Sequence, residues 1–330
     1  MIKILNLDNI YNDIIPNWYY NINNYNINNY NTYLKYNNNE SQTIKLLNFL
    51  KSLIILQQKY EFIYISDCGY KTENNIFYHY RHFNGIEFDS KEKKIFNKLL
   101  LNVPLLNNNI YFIKEYLKYD YEIIKLFNNK NNIKMNIIGP NTFYEFLYVT
   151  NNNNEFTNMD EIINNLKYQL LSIVNKGCSA IQIDEPFLIY NENIEYKHIN
   201  YLKKLIKKLD CIIILGLHNY DEFGLEPSLN CKKLIDLLEI NYIKYYSFDY
   251  KYIKSFMYLL KKYNNKKYIF KLPYKKCIKE YKFIINSIIK DLGHKNFYLS
   301  PSNFKKTLSE LDKMYEDLFI SVSYINNSNS

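Results

Sequence analysis

The sequence predicts an α/β fold and, within that class, a (β/α)8 TIM-type barrel formed by a single domain over residues 1–330. Short apolar runs typical of buried parallel strands alternate with amphipathic helical segments along most of the chain. A chain of 330 residues is long enough for a full barrel. A doubly wound open sheet is the alternative, but no glycine-rich phosphate loop follows an early strand. We therefore expect the barrel.

The first half of the chain has the less regular pattern. Apolar runs predict strands at residues 2–5, 62–65 and 133–138. Helical spacing predicts helices at residues 46–56, 91–101, 116–127 and 159–175, and Gly177 is placed to cap the last of these. Residues 21–40 are rich in Asn and Tyr, and we interpret them as a low-complexity excursion.

The second half alternates strand and helix regularly, as parallel β-α units do. The predicted strands are at residues 180–183, 212–217, 242–248, 268–270 and 297–299. The predicted helices are at residues 199–209, 231–238, 252–263, 278–292 and 305–319.

Composition excludes several function classes. The net charge of +9 comes from 42 Lys and Arg against 33 Asp and Glu, but Arg81 is the only arginine and the lysines are dispersed, which disfavours nucleic-acid binding. The 5 cysteines form no C-x-x-C pair, which favours a reducing compartment. No apolar run approaches the roughly 18 residues of a membrane span, and residues 1–12 lack the apolar core of a cleavable signal. We expect a soluble, cytoplasmic protein.

Two acids follow the strand predicted at residues 180–183. Asp184 and Glu185 are costly to desolvate there unless they have partners or a ligand, and Pro186 stops further strand pairing because it has no N–H. The carboxyl ends of barrel strands are where active sites form. An acid pair that only caps the next helix is the alternative interpretation.

Other predicted strands also end in polar residues, which a barrel would bring to one mouth. The set is Asp67, Thr142, Asp184, Glu185, His218, Asp249, Lys271 and Asn303. Asp249 could instead cap the next helix, and Lys271 could be solvated. Arg81 could bind a substrate carboxylate or form an ordinary salt bridge. The convergence of the whole set predicts a small-molecule pocket.

The run from Ile181 to Pro186 resembles the "IQIDEP" segment of the cobalamin-independent methionine synthases, in their C-terminal catalytic domain and short archaeal form. Residues 65–69 resemble the family's "SDGE" turn, residues 138–142 its "GPxT" segment and residues 299–303 its closing "NPDCG" segment. These segments occur in the family's order, over most of the chain from about residue 62 onward. The resemblance implies the same barrel.

The resemblance also implies a reaction and roles for residues. Family members hold Zn²⁺ with His, Cys, Glu and Cys, and the metal activates homocysteine as a thiolate that attacks the methyl group of methyltetrahydrofolate. Asp184 is then expected to bind the substrate amino group, with support from Glu185. Further substrate-binding candidates are Asp67, Arg81, Thr142 and Lys271.

The metal ligands are where the sequence departs from the family. His218 and Asp249 match two ligand positions, with Asp249 replacing a glutamate, but Tyr220 and Asn303 stand where cysteines are needed. Two ligands are too few for a tight tetrahedral zinc site. We therefore expect a degraded zinc site.

Two function hypotheses follow. The first is a methyltransferase that uses methyltetrahydrofolate and a thiol such as homocysteine, like the 5-methyltetrahydropteroyltriglutamate–homocysteine S-methyltransferases. The alternative is a zinc-free small-molecule-binding barrel, or a decarboxylase-like one similar to uroporphyrinogen decarboxylase, which shares the broader superfamily fold. A single arginine argues against the decarboxylase, whose substrate has several carboxylates. A third metal-capable side chain near His218 would favour the first hypothesis.

Overall fold

The computed structural model describes residues 40–66, 79–80, 82–87, 93–96, 99–112, 115–128, 130, 132–149, 155–191, 194–217, 229–272, 278–293, 297–301 and 308–328. The strand predicted at residues 2–5 and the low-complexity segment up to residue 39 lie outside this part of the chain. No helix in the described ranges is both long enough and apolar enough to cross a membrane.

From residue 134 onward, strands and helices alternate as the sequence predicts. The strands are β1 (Phe83–Glu87), β2 (Lys93–Phe96), β3 (Leu99–Asn102), β4 (Leu105–Phe112), β5 (Lys134–Ile138), β6 (Tyr148–Val149), β7 (Ala180–Asp184), β8 (Ile212–Leu217), β9 (Tyr245–Asp249), β10 (Lys267–Leu272) and β11 (Phe297–Pro301). The α-helices are α1 (Glu40–Lys59), α2 (Tyr116–Phe127), α3 (Pro140–Glu145), α4 (Glu155–Val174), α5 (Phe187–Tyr190), α6 (Tyr196–Ile206), α7 (Cys231–Leu238), α8 (Tyr250–Ile253), α9 (Met257–Lys262), α10 (Ile278–Leu292) and α11 (Leu308–Ser328).

The main sheet has six strands in the order β5-β7-β8-β9-β10-β11, and every neighbouring pair is parallel. Each strand therefore pairs with the next main-sheet strand along the chain. Ile65 forms a parallel bridge with Ile133, the residue just before β5, and so lies at the edge of β5 that is not paired with β7. The prediction of a parallel α/β fold is confirmed.

The helices cover one face of this sheet, and the last helix packs against the first. The Tyr60 hydroxyl at the end of α1 donates a hydrogen bond to Asp312 Oδ1 of α11 at 2.5 Å. The Tyr60 ring meets Tyr315 edge-on, with ring centroids 5.9 Å apart. The layer of helices thus returns to its starting point around the sheet, as it does in a barrel.

The two faces of the sheet differ in chemistry because alternate residues point to opposite sides. One set, including Ile181, Ile183 and Phe248, belongs to the large apolar core beneath the helices. On the other face, a separate cluster built around Ile214 and Ile269 fills the amino-terminal half. The residues packed against that cluster are Ile63, Tyr64, Ile212, Tyr245 and Tyr298. We call this second side the inner face.

Gly177 ends helix α4 as predicted. Its φ is 93°, a backbone conformation that glycine adopts without steric cost. The Gly177 N–H donates to the Val174 carbonyl at 2.9 Å, and the Cys178 N–H donates to the Ile173 carbonyl at 3.1 Å. These two bonds are those of a Schellman cap.

Two predicted helices are wrong in whole or in part. Residues 91–101 were expected to be helical, but β2 and β3 pair there as an antiparallel hairpin, with Lys93 opposite Asn102. The few apolar residues of this segment suit a strand as well as a helix, and here the pairing of β2 with β3 decides. The helix predicted at residues 252–263 is divided into α8 and α9 by a 3₁₀ turn at Lys254–Phe256. The remaining strands form a small sheet in the order β1-β4-β6.

Candidate functional site

The two acids at the end of β7 point in different directions. Asp184 is the last residue of the strand and lies on the inner face, whereas Glu185 turns toward the segment that follows β5. Asp184 is 3% exposed and Glu185 is fully buried. Their backbones tie β7 to both neighbours, because the Gly139 N–H donates to the Asp184 carbonyl and the Glu185 N–H donates to the Gly216 carbonyl, each at 2.8 Å.

Glu185 is held by four hydrogen bonds from two consecutive residues. Its Oε1 accepts from the Asn141 backbone N–H at 3.0 Å and from Asn141 Nδ2 at 2.9 Å. Its Oε2 accepts from the Thr142 N–H at 2.8 Å and from Thr142 Oγ1 at 2.7 Å. The carboxylate thus satisfies N–H groups in the first turn of α3 that have no partner within the helix.

The local sequence makes room for this arrangement. Gly139 precedes Pro140, whose fixed φ suits the first position of a helix. A Cβ at Gly139 would lie 2.2 Å from Glu185 Cδ, so only glycine leaves space for the carboxylate. Burial raises the pKa of Glu185 to about 7, against the hydrogen bonds from Thr142 and Asn141, which lower it.

Thr142 is tied into the same contact network. Its hydroxyl donates to Glu185 and accepts the Phe187 backbone N–H at 3.1 Å. The structure therefore brings Thr142 and Glu185 together and gives both a role in joining β5, β7 and α5. Their contact with a substrate stays a prediction.

Asp184 belongs to a second set of contacts, on the inner face. Gln182 Nε2 donates to Asp184 Oδ1 at 2.7 Å. Lys134, which begins β5, donates from Nζ to Gln182 Oε1. A Cβ at Gly216 would lie 2.0 Å from Asp184 Oδ1, so the carboxylate rests directly over this glycine of β8.

Beyond Gly216 the inner face continues with polar side chains at the strand ends. In the strand register, Ser247 lies next to Gly216, and Lys271 lies between Asp249 and Ser300. Lys271 is 3% exposed. The Ser247 hydroxyl is buried and has no hydrogen-bond partner among the described residues. The structure therefore brings Asp184, Asp249 and Lys271 to one end of one face.

Several predicted site residues lie outside the described part of the chain. They are Asp67, Arg81, His218, Tyr220 and Asn303. Within the described residues, no three side chains of His, Cys, Asp or Glu are grouped closely enough to hold a metal ion.

Sequence reasoning missed three residues of the inner face. Gln182 could have been found, since it lies two positions before Asp184 and a strand repeats every two residues. Ser247 carried a weaker signal as a polar residue inside an apolar strand. Lys134 carried almost none, because lysine is abundant throughout the chain.

Two solved structures share this architecture over nearly the whole chain. The B12-independent methionine synthase from Shewanella sp. W3-18-1, in complex with selenomethionine, has a TM-score of 0.72 at 16% identity, over 88% of this chain and 90% of that one. The chain has the fold of the B12-independent methionine synthases. A putative vitamin-B12-independent methionine synthase from Listeria monocytogenes has a TM-score of 0.64 at 13% identity, over 99% of this chain and 98% of that one. No protein-family model and no curated protein matches the sequence.

The methionine-synthase fold confirms the predicted barrel class and the resemblance noted in the sequence, at the level of architecture. The inner face of the parallel sheet is then the interior of the barrel. Asp184, Asp249 and Lys271 lie at its carboxyl-terminal mouth, where enzymes of this architecture place their active sites.

Proposed function

We propose that this chain is a methionine-synthase-like methyltransferase that moves a methyl group from methyltetrahydrofolate to the thiol of an amino acid such as homocysteine. The observation that carries the proposal is the buried Asp184 carboxylate at the barrel mouth, oriented by Gln182 in the methionine-synthase fold. An ionised carboxylate in a buried place suits a cationic ligand group, and an amino acid supplies one as its ammonium.

In this function Asp184 binds the substrate ammonium and Glu185 fixes the backbone on which Asp184 stands. Lys271 and Arg81 offer cations to substrate carboxylates, and Asp67 and Thr142 line the pocket. The substrate thiol gives up its proton to solvent, and its sulfur forms a bond to the methyl carbon while the bond from methyl to donor nitrogen breaks. That nitrogen keeps the electron pair and takes up a proton from solvent.

Zinc, which the resemblance implies, does not fit the residues present. Tyr220 and Asn303 replace two thiolate ligands. Asp249, a remaining candidate ligand, has the buried Lys271 as its register partner on the next strand. An ammonium beside a metal position repels a cation. The proposal therefore includes a degraded zinc site, and no step of the reaction is assigned to a metal.

The buried Lys271 beside Asp249 favours a second candidate function. A barrel mouth that carries both Asp184 and Lys271 can bind a zwitterionic amino acid without transferring a methyl group. In this case Asp184 and Lys271 contact the ammonium and the carboxylate of the ligand.

The deciding experiment incubates the purified full chain with L-homocysteine and 5-methyltetrahydrofolate and measures methionine. We expect methionine from the wild type and at least a tenfold lower rate (~1.4 kcal/mol) from Asp184→Asn. Asp160→Asn is the matched control, because it removes an exposed carboxylate that pairs with Lys204. Homocysteine binding without methionine would favour the second candidate, and no binding would overturn both.

Metal content is measured on the same preparation, purified without chelators. We expect zinc well below one atom per chain and no gain in rate on adding Zn²⁺. One tightly held zinc that is lost in His218→Ala would contradict the degraded site.

A further inference from the structure

Three buried side chains form a line along the inner face of the barrel. Lys134 and Gln182 are fully buried, and Asp184 is 3% exposed. The Lys134 ammonium donates to Gln182 Oε1, and Gln182 Nε2 donates to Asp184 Oδ1 at 2.7 Å. The line joins the start of β5 to the end of β7. Lys134, at the start of β5, is thus linked to the candidate site through Gln182 of the neighbouring strand.

The chemistry of the lysine decides which way the Gln182 amide points. An ammonium can only donate hydrogen bonds, so the amide oxygen must face Lys134. The amide nitrogen must then face Asp184, where it donates to a carboxylate oxygen. Without the lysine, the amide could rotate and present its oxygen to the carboxylate, which would repel it.

Charge points to the same role. A buried carboxylate without a compensating charge is costly and tends to take up a proton, which would remove its attraction for an ammonium. Lys134 brings a positive charge into the same buried region, separated from Asp184 by one amide. Gly216 leaves the space for this arrangement, since a Cβ there would lie 3.2 Å from Gln182 Nε2 and 2.0 Å from Asp184 Oδ1.

We infer that Lys134 and Gln182 are positioning residues that hold the Asp184 carboxylate ionised and oriented for a ligand ammonium, with Lys134 acting through the Gln182 amide. The inference rests on the proposed function for its ligand, but the coupling between Lys134 and Asp184 does not. The two parts are tested by separate measurements.

The first measurement needs no ligand. The unfolding equilibrium is compared for the wild type, Lys134→Met, Asp184→Asn and the double variant, and the cycle is repeated with Gln182→Met. We expect the unfolding equilibrium constant of the double variant to be at least about tenfold smaller than the value predicted from additive effects of the two single variants. Most of this coupling should disappear when Gln182 is replaced. Additive effects, or coupling that does not depend on Gln182, would overturn the inference.

The second measurement compares two ligands that differ only in the amino group, L-homocysteine and 4-mercaptobutanoate. We expect Lys134→Met and Gln182→Met to lower the preference for L-homocysteine by about tenfold. A purely structural role would weaken both ligands equally, and that result would contradict the inference. If Lys134→Met does not fold, Gln182→Met gives the same comparison, because it keeps both charged groups and removes only the amide between them.

Lys266→Met is the matched control. Lys266 is also buried, but its Nζ donates to the carbonyls of Ile240 and Ile243, at 2.8 Å each, away from Asp184. We expect this variant to lose stability and keep its ligand preference. If the wild type binds neither ligand, the proposed function fails, while the unfolding cycle still decides whether Lys134 acts on Asp184.

Discussion

The carboxylate of Glu185 occupies the space in which a side chain at Gly139 would lie. A Cβ on Gly139 would be 2.2 Å from Glu185 Cδ and 2.3 Å from Oε1, well inside van der Waals contact. The contact joins the ends of β5 and β7, next to the candidate site. The lack of a side chain at Gly139 thus makes room for the carboxylate of Glu185.

Gly139→Ala should therefore destabilise the chain strongly. We expect a loss of about 3 kcal/mol in the free energy of unfolding, because Glu185 cannot move without giving up its four hydrogen bonds. Gly293→Ala is the control, since a Cβ there meets nothing within 4 Å and only the φ of 73° is unfavourable. That variant should lose about 1 kcal/mol. Denaturant unfolding measures both, and equal losses would contradict the steric argument.

Thr142→Val should separate the hydroxyl of Thr142 from its shape. Valine fills the same volume but can neither donate to Glu185 nor accept the Phe187 N–H. We expect a loss of about 2–3 kcal/mol in unfolding free energy, since Glu185 loses one of its four hydrogen bonds and the Phe187 N–H loses its acceptor. Thr142→Ser keeps the hydroxyl and should lose less than half as much. A fully stable valine variant would show that these bonds contribute nothing.

The Glu185 carboxyl should make stability depend on pH. Burial raises its pKa from 4.5 to about 7, so the folded chain holds this proton more tightly than the unfolded chain does. The resulting stabilisation is fully present below about pH 4.5 and is lost as the pH rises through about 7. Between pH 5 and pH 8 the wild type should lose about 2.5 kcal/mol more than Glu185→Gln, measured as unfolding free energy. Parallel pH profiles of the two proteins would refute this.

Ser247→Ala should raise stability and weaken ligand binding. A buried hydroxyl without a partner is unfavourable, so its removal should add about 1 kcal/mol to the free energy of unfolding. Ser247 lies beside Gly216, over which the Asp184 carboxylate rests, so a ligand ammonium can also contact it. We expect calorimetric titration to show weaker binding of L-homocysteine.

Ser321→Ala is the matched control for this variant. Ser321 is equally buried, but its hydroxyl donates to the Asp317 carbonyl at 2.7 Å. Its loss should lower stability and leave binding unchanged. A destabilised Ser247→Ala with normal binding would assign Ser247 a structural role only.

Much of the fold follows from local pattern. Residues 116–127, 231–238 and 278–292 form helices with the predicted bounds, because apolar spacing and burial agree there. The helix predicted at residues 91–101 fails because the few apolar residues of this segment fit either structure, and the pairing of β2 with β3 decides.

The candidate site was predictable in outline. The motif around Asp184 and Glu185, with Thr142 in the segment after β5, predicted which strand ends meet. The opposite directions of the two acids were also predictable, because successive side chains along a strand point to opposite faces. The partnership of Lys134 with Gln182 could not be predicted, because it depends on the register between β5 and β7.

The sequential order of the main sheet has a consequence for how the molecule is made. Because β5, β7 and β8 are neighbours in the main sheet and follow one another in chain order, their pairing needs no main-sheet strand that comes later in the chain. The contacts that orient Asp184 and Glu185 come from Lys134, Gly216 and residues between them. This part of the barrel can therefore begin to assemble on the ribosome before the strands that follow β8 have been translated.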